Sequence, residues 1–211
     1  MTALEWDKVG DRRYETGVDR GVLYLSDGSA IPWNGLTSVS ETRSREVKSY
    51  YLDGVKFLDH YVPGTYEAKL SAFTYPDELE ALLGSPEMAP GVVVYDQRAN
   101  LFHLSYRTLV GNDLDGLEHG YKIHLVYNIL AVPDDVDMPS LSDSVEPVTF
   151  SWNLKGVPDQ ILGIRPTNHI SVDSRKVDPA TLTMFENTIY GSDADDPHLP
   201  PMIDMLNMVA P

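Results

Sequence analysis

The sequence predicts a mainly β domain, a sandwich or barrel with one or two helices at its periphery. Three observations carry that expectation. Segments in which apolar and polar residues alternate with a period of two outnumber segments with a helical period. Turn signals of the Asp-Gly and Asn-Gly type punctuate them, as at Asp53-Gly54 and Asn34-Gly35. The 211 residues include no cysteine, so neither a disulfide framework nor a thiolate metal site can supply stability, and the core has to come from packing.

The elements follow in order. Gly21–Leu25 is a short apolar run closed by Ser26-Asp27-Gly28. Over Leu36–Thr42, Leu36, Ser38 and Ser40 alternate with Thr37, Val39 and Glu41. Val47–Asp59 reads as two strand arms about Asp53-Gly54, a pair suited to the positive φ angles of a two-residue hairpin turn. Over Thr65–Thr74, Tyr66, Ala68, Leu70 and Ala72 oppose Glu67, Lys69 and Ser71. Leu101–Val110 sets Phe102, Leu104 and Tyr106 against His103, Ser105 and Arg107. Tyr121, Ile123, Leu125, Tyr127 and Ile129 then alternate with Lys122, His124, Val126 and Asn128. Val148–Leu154 turns Val148, Phe150, Trp152 and Leu154 inward and Thr149, Ser151 and Asn153 outward, and Ile170–Asp173 is a last short strand.

A helix is expected over Tyr75–Gly84, with proline and acids in its first turn and glycine at its end. A second runs from the N-cap Asp178 to Gly191 and buries Leu182, Phe185, Ile189 and Tyr190. A third, short, spans Met202–Met208. The chain reads as one domain over 1–211. It carries an N-terminal arm at about 1–17, a long acidic, proline-rich loop at about 132–147 and a C-terminal helical segment at about 178–211.

The formal net charge is −16, with most of the imbalance in the second half of the chain. Such a chain lacks the Lys and Arg clusters that grip phosphate, so nucleic-acid binding by charge neutralisation is not expected. No apolar run approaches the roughly 20 residues of a membrane helix, and the first residues carry no signal-peptide hydrophobic segment. Folding in the cytoplasm is the expectation.

Motifs for chemistry are sparse. Neither a GxSxG elbow nor an HExxH helix is present, and Ser105 with His103 is only a strand neighbour pair. The acidic stretches Asp134-Asp135-Val136-Asp137 and Asp193-Ala194-Asp195-Asp196 do not continue as calcium loops. Glu118, His119, Lys122 and His124 crowd one stretch, but His119 and His124 fall on opposite faces and do not converge on one ion. Neither a metal nor a cofactor is expected. Trp6, in the polar arm, is either a docking aromatic for a neighbour or a core anchor.

Several short segments, taken in order, resemble the major tail proteins, or tail tube proteins, of long non-contractile-tailed bacteriophages (siphophages) of Gram-positive hosts. They are Trp6-Asp7-Lys8, Arg13 through Tyr24, Trp33-Asn34-Gly35-Leu36 and Tyr75-Pro76-Asp77-Glu78. Pro90-Gly91, Tyr106-Arg107-Thr108, Gly111-Asn112-Asp113 and Gly120-Tyr121-Lys122 follow. Asp143-Ser144, Phe150-Ser151-Trp152, Arg165-Pro166-Thr167, Asp173-Ser174 and Tyr190-Gly191 complete the set. The segments between Thr42 and Tyr66 and between Val132 and Val145 match least.

The resemblance implies a tail-tube-type β-sandwich or barrel that assembles as stacked homo-hexameric rings. It implies a tape-measure protein in the lumen during assembly, a tail terminator and baseplate or distal tail proteins at the ends, and genomic DNA that passes without specific binding. There is no membrane insertion on this reading: the protein folds and assembles in the host cytoplasm and resides in the virion tail. The acidic excess then suits a bore through which phosphate must slide. Trp6, Arg12, Arg13, Asp134, Asp135 and Asp137 become candidate contacts between subunits or rings. Glu67, Lys69, Lys122, His124, Thr149, Ser151 and Asn153 become candidate polar residues of the lumen or of a sheet face. A tail terminator or another tail-fold ring protein is the alternative within this class; a carbohydrate-binding module or adhesin is the alternative outside it, and an enzyme ranks third.

Overall fold

The computed structural model describes residues 3–42, 47–61, 64–140, 147–161 and 163–209. The described chain is mainly β, with twelve strands and three helices among these residues. The strands are β1 (Arg13–Tyr24), β2 (Ala30–Trp33), β3 (Leu36–Thr42), β4 (Val47–Leu52), β5 (Val55–Tyr61) and β6 (Glu67–Ala72), then β7 (Glu87–Ala89), β8 (Val92–Val93), β9 (Phe102–Asn112), β10 (Gly116–Pro133), β11 (Phe150–Gly156) and β12 (His169–Asp173). The helices are α1 (Glu78–Leu82), α2 (Pro179–Tyr190) and α3 (Met202–Val209).

One antiparallel sheet dominates, in the order β2-β1-β9-β10-β11-β6-β3, with β12 also paired to β10. The long β10 makes this branching possible. Its middle, Lys122 to Val126, pairs with β12, and its last part, Ile129 to Pro133, pairs with β11. Between them Asn128 adopts φ +50°, and the register with β9 shifts between Val126 and Ile129. This is a β-bulge: one extra residue re-aims the strand so that Val126 and Ile129, three apart, enter the same core.

The sheet rolls up around that core. In a flat sheet β2 and β11 would stand about 19 Å apart, four strand spacings of ~4.8 Å. Instead the rings of Trp33 on β2 and Trp152 on β11 meet edge to face at 5.3 Å. The inner core gathers Leu23, Leu70, Phe102, Leu104, Ile129 and Leu154 with these two tryptophans. A second core lies on the outer face, where α2 and α3 cover β10 and β12 through Ile123, Leu125, Val172, Phe185, Ile189 and Met205. The middle of the sheet is therefore buried on both faces, and this explains why Ser105, at a polar position of its strand, is fully buried beside Tyr24.

Local chemistry agrees with the expected boundaries at α2 and at the β4–β5 turn. The Asp178 carboxylate accepts from the backbone N–H groups of Ala180 and Thr181 at the start of α2, and Gly191 ends the helix at φ +83°. Asp53 and Gly54 take φ +51° and +77°, the paired positive values of a tight hairpin turn. Five differences stand out. The helix expected over Tyr75–Gly84 is helical only over Glu78–Leu82. The N-terminal arm is strand from Arg13 onward, because Arg13–Thr16 pair with Leu109–Asn112 of β9. Ala30–Trp33 and the small β7–β8 hairpin about Pro90-Gly91 are strands that too short a pattern concealed. The loop expected from 132 begins only after Pro133, where β10 ends. Residues 141–146 of that loop, Asp143-Ser144 included, lie outside the described residues.

Candidate functional site

Two features stand apart from an ordinary folded core. The first is the β4–β5 hairpin, a two-stranded sheet of its own. Every residue of both strands is exposed. Its large side chains, Val47, Tyr50, Tyr51, Leu52, Val55, Phe57, Leu58 and Tyr61, stand 44–70% in solvent. Register distributes them over both faces. Val47 pairs with Tyr61 on one side, while Tyr50 pairs with Leu58 on the other, three positions along.

The second is a largely buried polar cluster at one end of the inner core, with His124 buried and Glu41 and His169 half-buried. Glu41 follows Val39 by two on β3 and so faces inward, opposite Ala68. His124 precedes Val126 by two on β10, and His169 opens β12 opposite Val126. Three strands thus deliver three ligand-type side chains to one place. His124 Nδ1 lies 3.2 Å from His169 Nε2, and each of these nitrogens lies 3.7 Å from Glu41 Oε1. Thr108 Oγ1 on β9 sits 3.0 Å from the other ring nitrogen of His124. The Tyr106 hydroxyl donates to Glu41 at 2.5 Å, and its ring stacks on His124 at 4.7 Å. Burial, then the neighbouring His169, pulls the His124 pKa down to about 4, so its ring is neutral at pH 7. Burial, ahead of the Tyr66 and Glu41 neighbours, pushes the Tyr106 phenol far up, so it stays a donor.

The residues picked out from the sequence fall into distinct places. Trp6 is 77% exposed, which removes the core-anchor reading for it. Arg12 reaches the Asp7 carbonyl, and Arg13 starts β1; both are exposed. Asp134 forms an ion pair with Lys69 at 2.5 Å, while Asp135 and Asp137 are exposed beyond it. Glu67, Lys69, Ser151 and Asn153 share the outward face of β6 and β11, with Thr149 exposed just before it, and Ser71 and Ser151 hydroxyls meet there at 3.0 Å. Lys122 is ion-paired with Glu15 of β1 in the same chain.

His124 requires a correction. It is only 6% exposed, so it lies on neither a solvent face nor an open lumen face of the described chain. The expected alternation holds from Tyr121 to Tyr127 and breaks at the Asn128 bulge, which puts Ile129 on the side of Val126; on that side Glu41 of β3 and His169 of β12 close over His124. His119 and His124 do not converge, since His119 lies beside Asp115 at 3.2 Å. The partners of His124 are instead His169 and Glu41, which strand-by-strand reading missed. The available signal was an acid and a histidine at positions in phase with Val39 and Val126. Ser105 and His103 are likewise separated in role: Ser105 meets Tyr24, and His103 accepts from the Asn128 backbone N–H at 3.0 Å.

No protein-family model and no curated protein matches the chain. Among solved structures, it is similar to the tube-terminating cap of the anti-feeding prophage, at 12% identity and a TM-score of 0.41, over 82% of this chain and 96% of that one. It is also similar to a chain of the sheath-tube complex, in the extended state, of PVC, an extracellular contractile injection system, at 16% identity and a TM-score of 0.40, over 73% and 88%. The sheath/tube terminator of the same kind of system gives 14% identity and a TM-score of 0.38, over 81% and 99%. At these values the likeness is one of general chain course, and no property of those assemblies transfers on it.

Proposed function

We propose that this chain is a structural, self-assembling subunit of a bacteriophage tail tube, of the long non-contractile type, built of stacked hexameric rings. The observation that carries the proposal is the β4–β5 hairpin. A two-stranded hairpin with nothing packed on it is marginal in water, and a contiguous apolar surface of this kind marks a partner site. Because both of its faces are apolar, its occupied state has cover on two sides, as for an arm inserted between neighbouring subunits. The ordered sequence resemblance supplies the class of assembly, and the negative charge supports a bore that does not hold DNA.

The remaining roles follow on the same reading. Trp6, Arg12 and Arg13 and the exposed acids Asp135 and Asp137 contact neighbours, and the polar face of β6 and β11 lines the lumen. A tape-measure protein fills that lumen during assembly, terminator and distal tail proteins close the ends, and the tail of the virion is where the protein resides. The role is structural and non-enzymatic. The competing carbohydrate-binding reading asks for aromatics in a row on one sheet face. Here Tyr50 and Tyr51 are strand neighbours, and the large sheet turns Phe102, Tyr106 and Trp152 inward.

Negative-stain electron microscopy with sedimentation velocity tests the proposal. The wild-type chain, concentrated and incubated, is expected to form hollow tubes or stacked six-fold rings. A Tyr50→Asp, Phe57→Asp chain is expected to remain a folded monomer. Discrete rings without growth would favour the terminator reading, and a wild-type chain that stays monomeric at every concentration would overturn assembly altogether.

A further inference from the structure

We propose that Glu41, His124 and His169 form a binding site for one zinc-type divalent metal ion, which ties the edge strand β3 to β10 and β12. The geometry is the first support. The separations of 3.2, 3.7 and 3.7 Å place a point equidistant from the three ligand atoms at about 2.1 Å from each, which is the usual Zn–N and Zn–O bond length of ~2.0–2.2 Å. The donor set, two imidazoles and one carboxylate, suits zinc and its late first-row neighbours and leaves a fourth position for water.

The surroundings are the second support. A metal-bound histidine is normally held by a hydrogen bond at its other nitrogen. His124 has this arrangement: Nδ1 faces the other two ligands, and Nε2 lies at hydrogen-bond distance from Thr108 Oγ1. Glu41 is oriented by the Tyr106 hydroxyl, which donates to the ligand oxygen Oε1 itself and lies 3.3 Å from the Tyr66 hydroxyl. The edge of Tyr66 also packs on the His169 ring at 5.0 Å. Of the groups that hold these ligands, Tyr106 and Tyr66 are buried and Thr108 is half-buried.

The placement gives the ion its role. β3 ends the sheet and pairs only with β6 along its order. Glu41 reaches from that edge across the rolled interior to β10 and β12, so a shared ion would close the roll where backbone pairing does not. Among the described residues this is the one group of three or more His, Asp or Glu side chains whose ligand atoms converge within 4.8 Å.

The test uses the whole chain, unassembled, stripped with EDTA and then titrated with Zn2+ and with Co2+. One equivalent per chain is expected, with the visible absorption of tetrahedral Co2+ and a higher melting temperature in Zn2+. Glu41→Gln, whose amide oxygen still accepts from Tyr106, and His169→Gln are expected to lose at least ten-fold in affinity and to lose the Zn2+-dependent rise. A reading on the wild-type chain guards against variants that misfold. In 15N-histidine spectra, Zn2+ should move the signals of His124 Nδ1 and His169 Nε2. No saturable binding, undiminished binding in both variants, or shifts confined to His60, His103, His119 or His198 would each overturn the site. None of these readouts depends on tube formation.

Discussion

At the scale of single residues, the buried polar groups decide what can be changed. His124 fills space between the Tyr106 ring and His169 and bonds to Thr108. Truncating it opens a cavity and strands a polar partner, so His124→Ala should cost roughly 2–4 kcal/mol even without metal. Urea unfolding in EDTA measures this, and a change below 0.5 kcal/mol, on the scale of an ordinary surface substitution, would mean the site collapses around the gap. Tyr24 sends its hydroxyl from the sheet to the Ile189 carbonyl near the end of α2, at 2.7 Å. Tyr24→Phe should therefore cost about 1–2 kcal/mol by leaving that carbonyl unpaired. Asp173 shows how charge enters. Hydrogen bonds from Arg175 hold its carboxyl down at about 2. A depressed carboxylate stabilises the fold above its unfolded pKa of ~3.9 and loses that contribution as pH falls toward the folded value. Between pH 5 and pH 2, wild type should lose ~2 kcal/mol more than Asp173→Asn, as read by denaturant midpoints at each pH. Equal losses would show that Arg175 contributes nothing net.

At the scale of elements, the same secondary structure serves opposite ends. β6 and β11 alternate cleanly because one face meets the inner core and the other meets solvent. β10 alternates in sequence too, yet both of its faces are covered, Val126 meeting the inner core and Ile123, Leu125 and Tyr127 the core under α2 and α3. The β4–β5 hairpin has the sequence of a good strand pair, and every residue of its strands is exposed among the described residues. Its turn is testable without disturbing the core. Gly54 sits at φ +77° with open space around its Cα, so Gly54→Val meets backbone strain and no clash. That substitution should leave the global melting temperature within about 1 °C, under the ~2–4 °C that 1 kcal/mol moves a domain of about this size, while slowing assembly. A fall in the melting temperature comparable to that of a core variant would show that the hairpin is part of the folded unit.

At the scale of the whole molecule, shape and charge act together. The sheet curls far enough for Trp33 to touch Trp152, which leaves an outward polar face on β6 and β11 and an apolar arm projecting elsewhere. A net charge of −16 makes copies repel at a distance. Raising ionic strength from about 0.01 M to about 0.15 M shortens the screening length from ~30 Å to ~8 Å. If copies assemble through the hairpin, light scattering should show faster growth as salt rises over that range. Slower growth would mean that ion pairs between subunits, not apolar contacts, hold the assembly.

What the sequence determined by itself were the local patterns. The hairpin at Asp53-Gly54, the inward set Tyr66, Ala68, Leu70 and Ala72, the capped helix from Asp178 and the mainly β class all follow from period, turn chemistry and capping over a few residues. The tertiary structure alone decided which faces are free. Glu41 and His124 stand in phase with apolar residues of their strands, His169 stands in phase with Ser171 and Asp173, and each looks unremarkable on its own strand. They meet because the sheet rolls and β10 branches between β11 and β12. Period fixes the side of a strand on which a residue lies; what covers that side depends on strands distant in sequence.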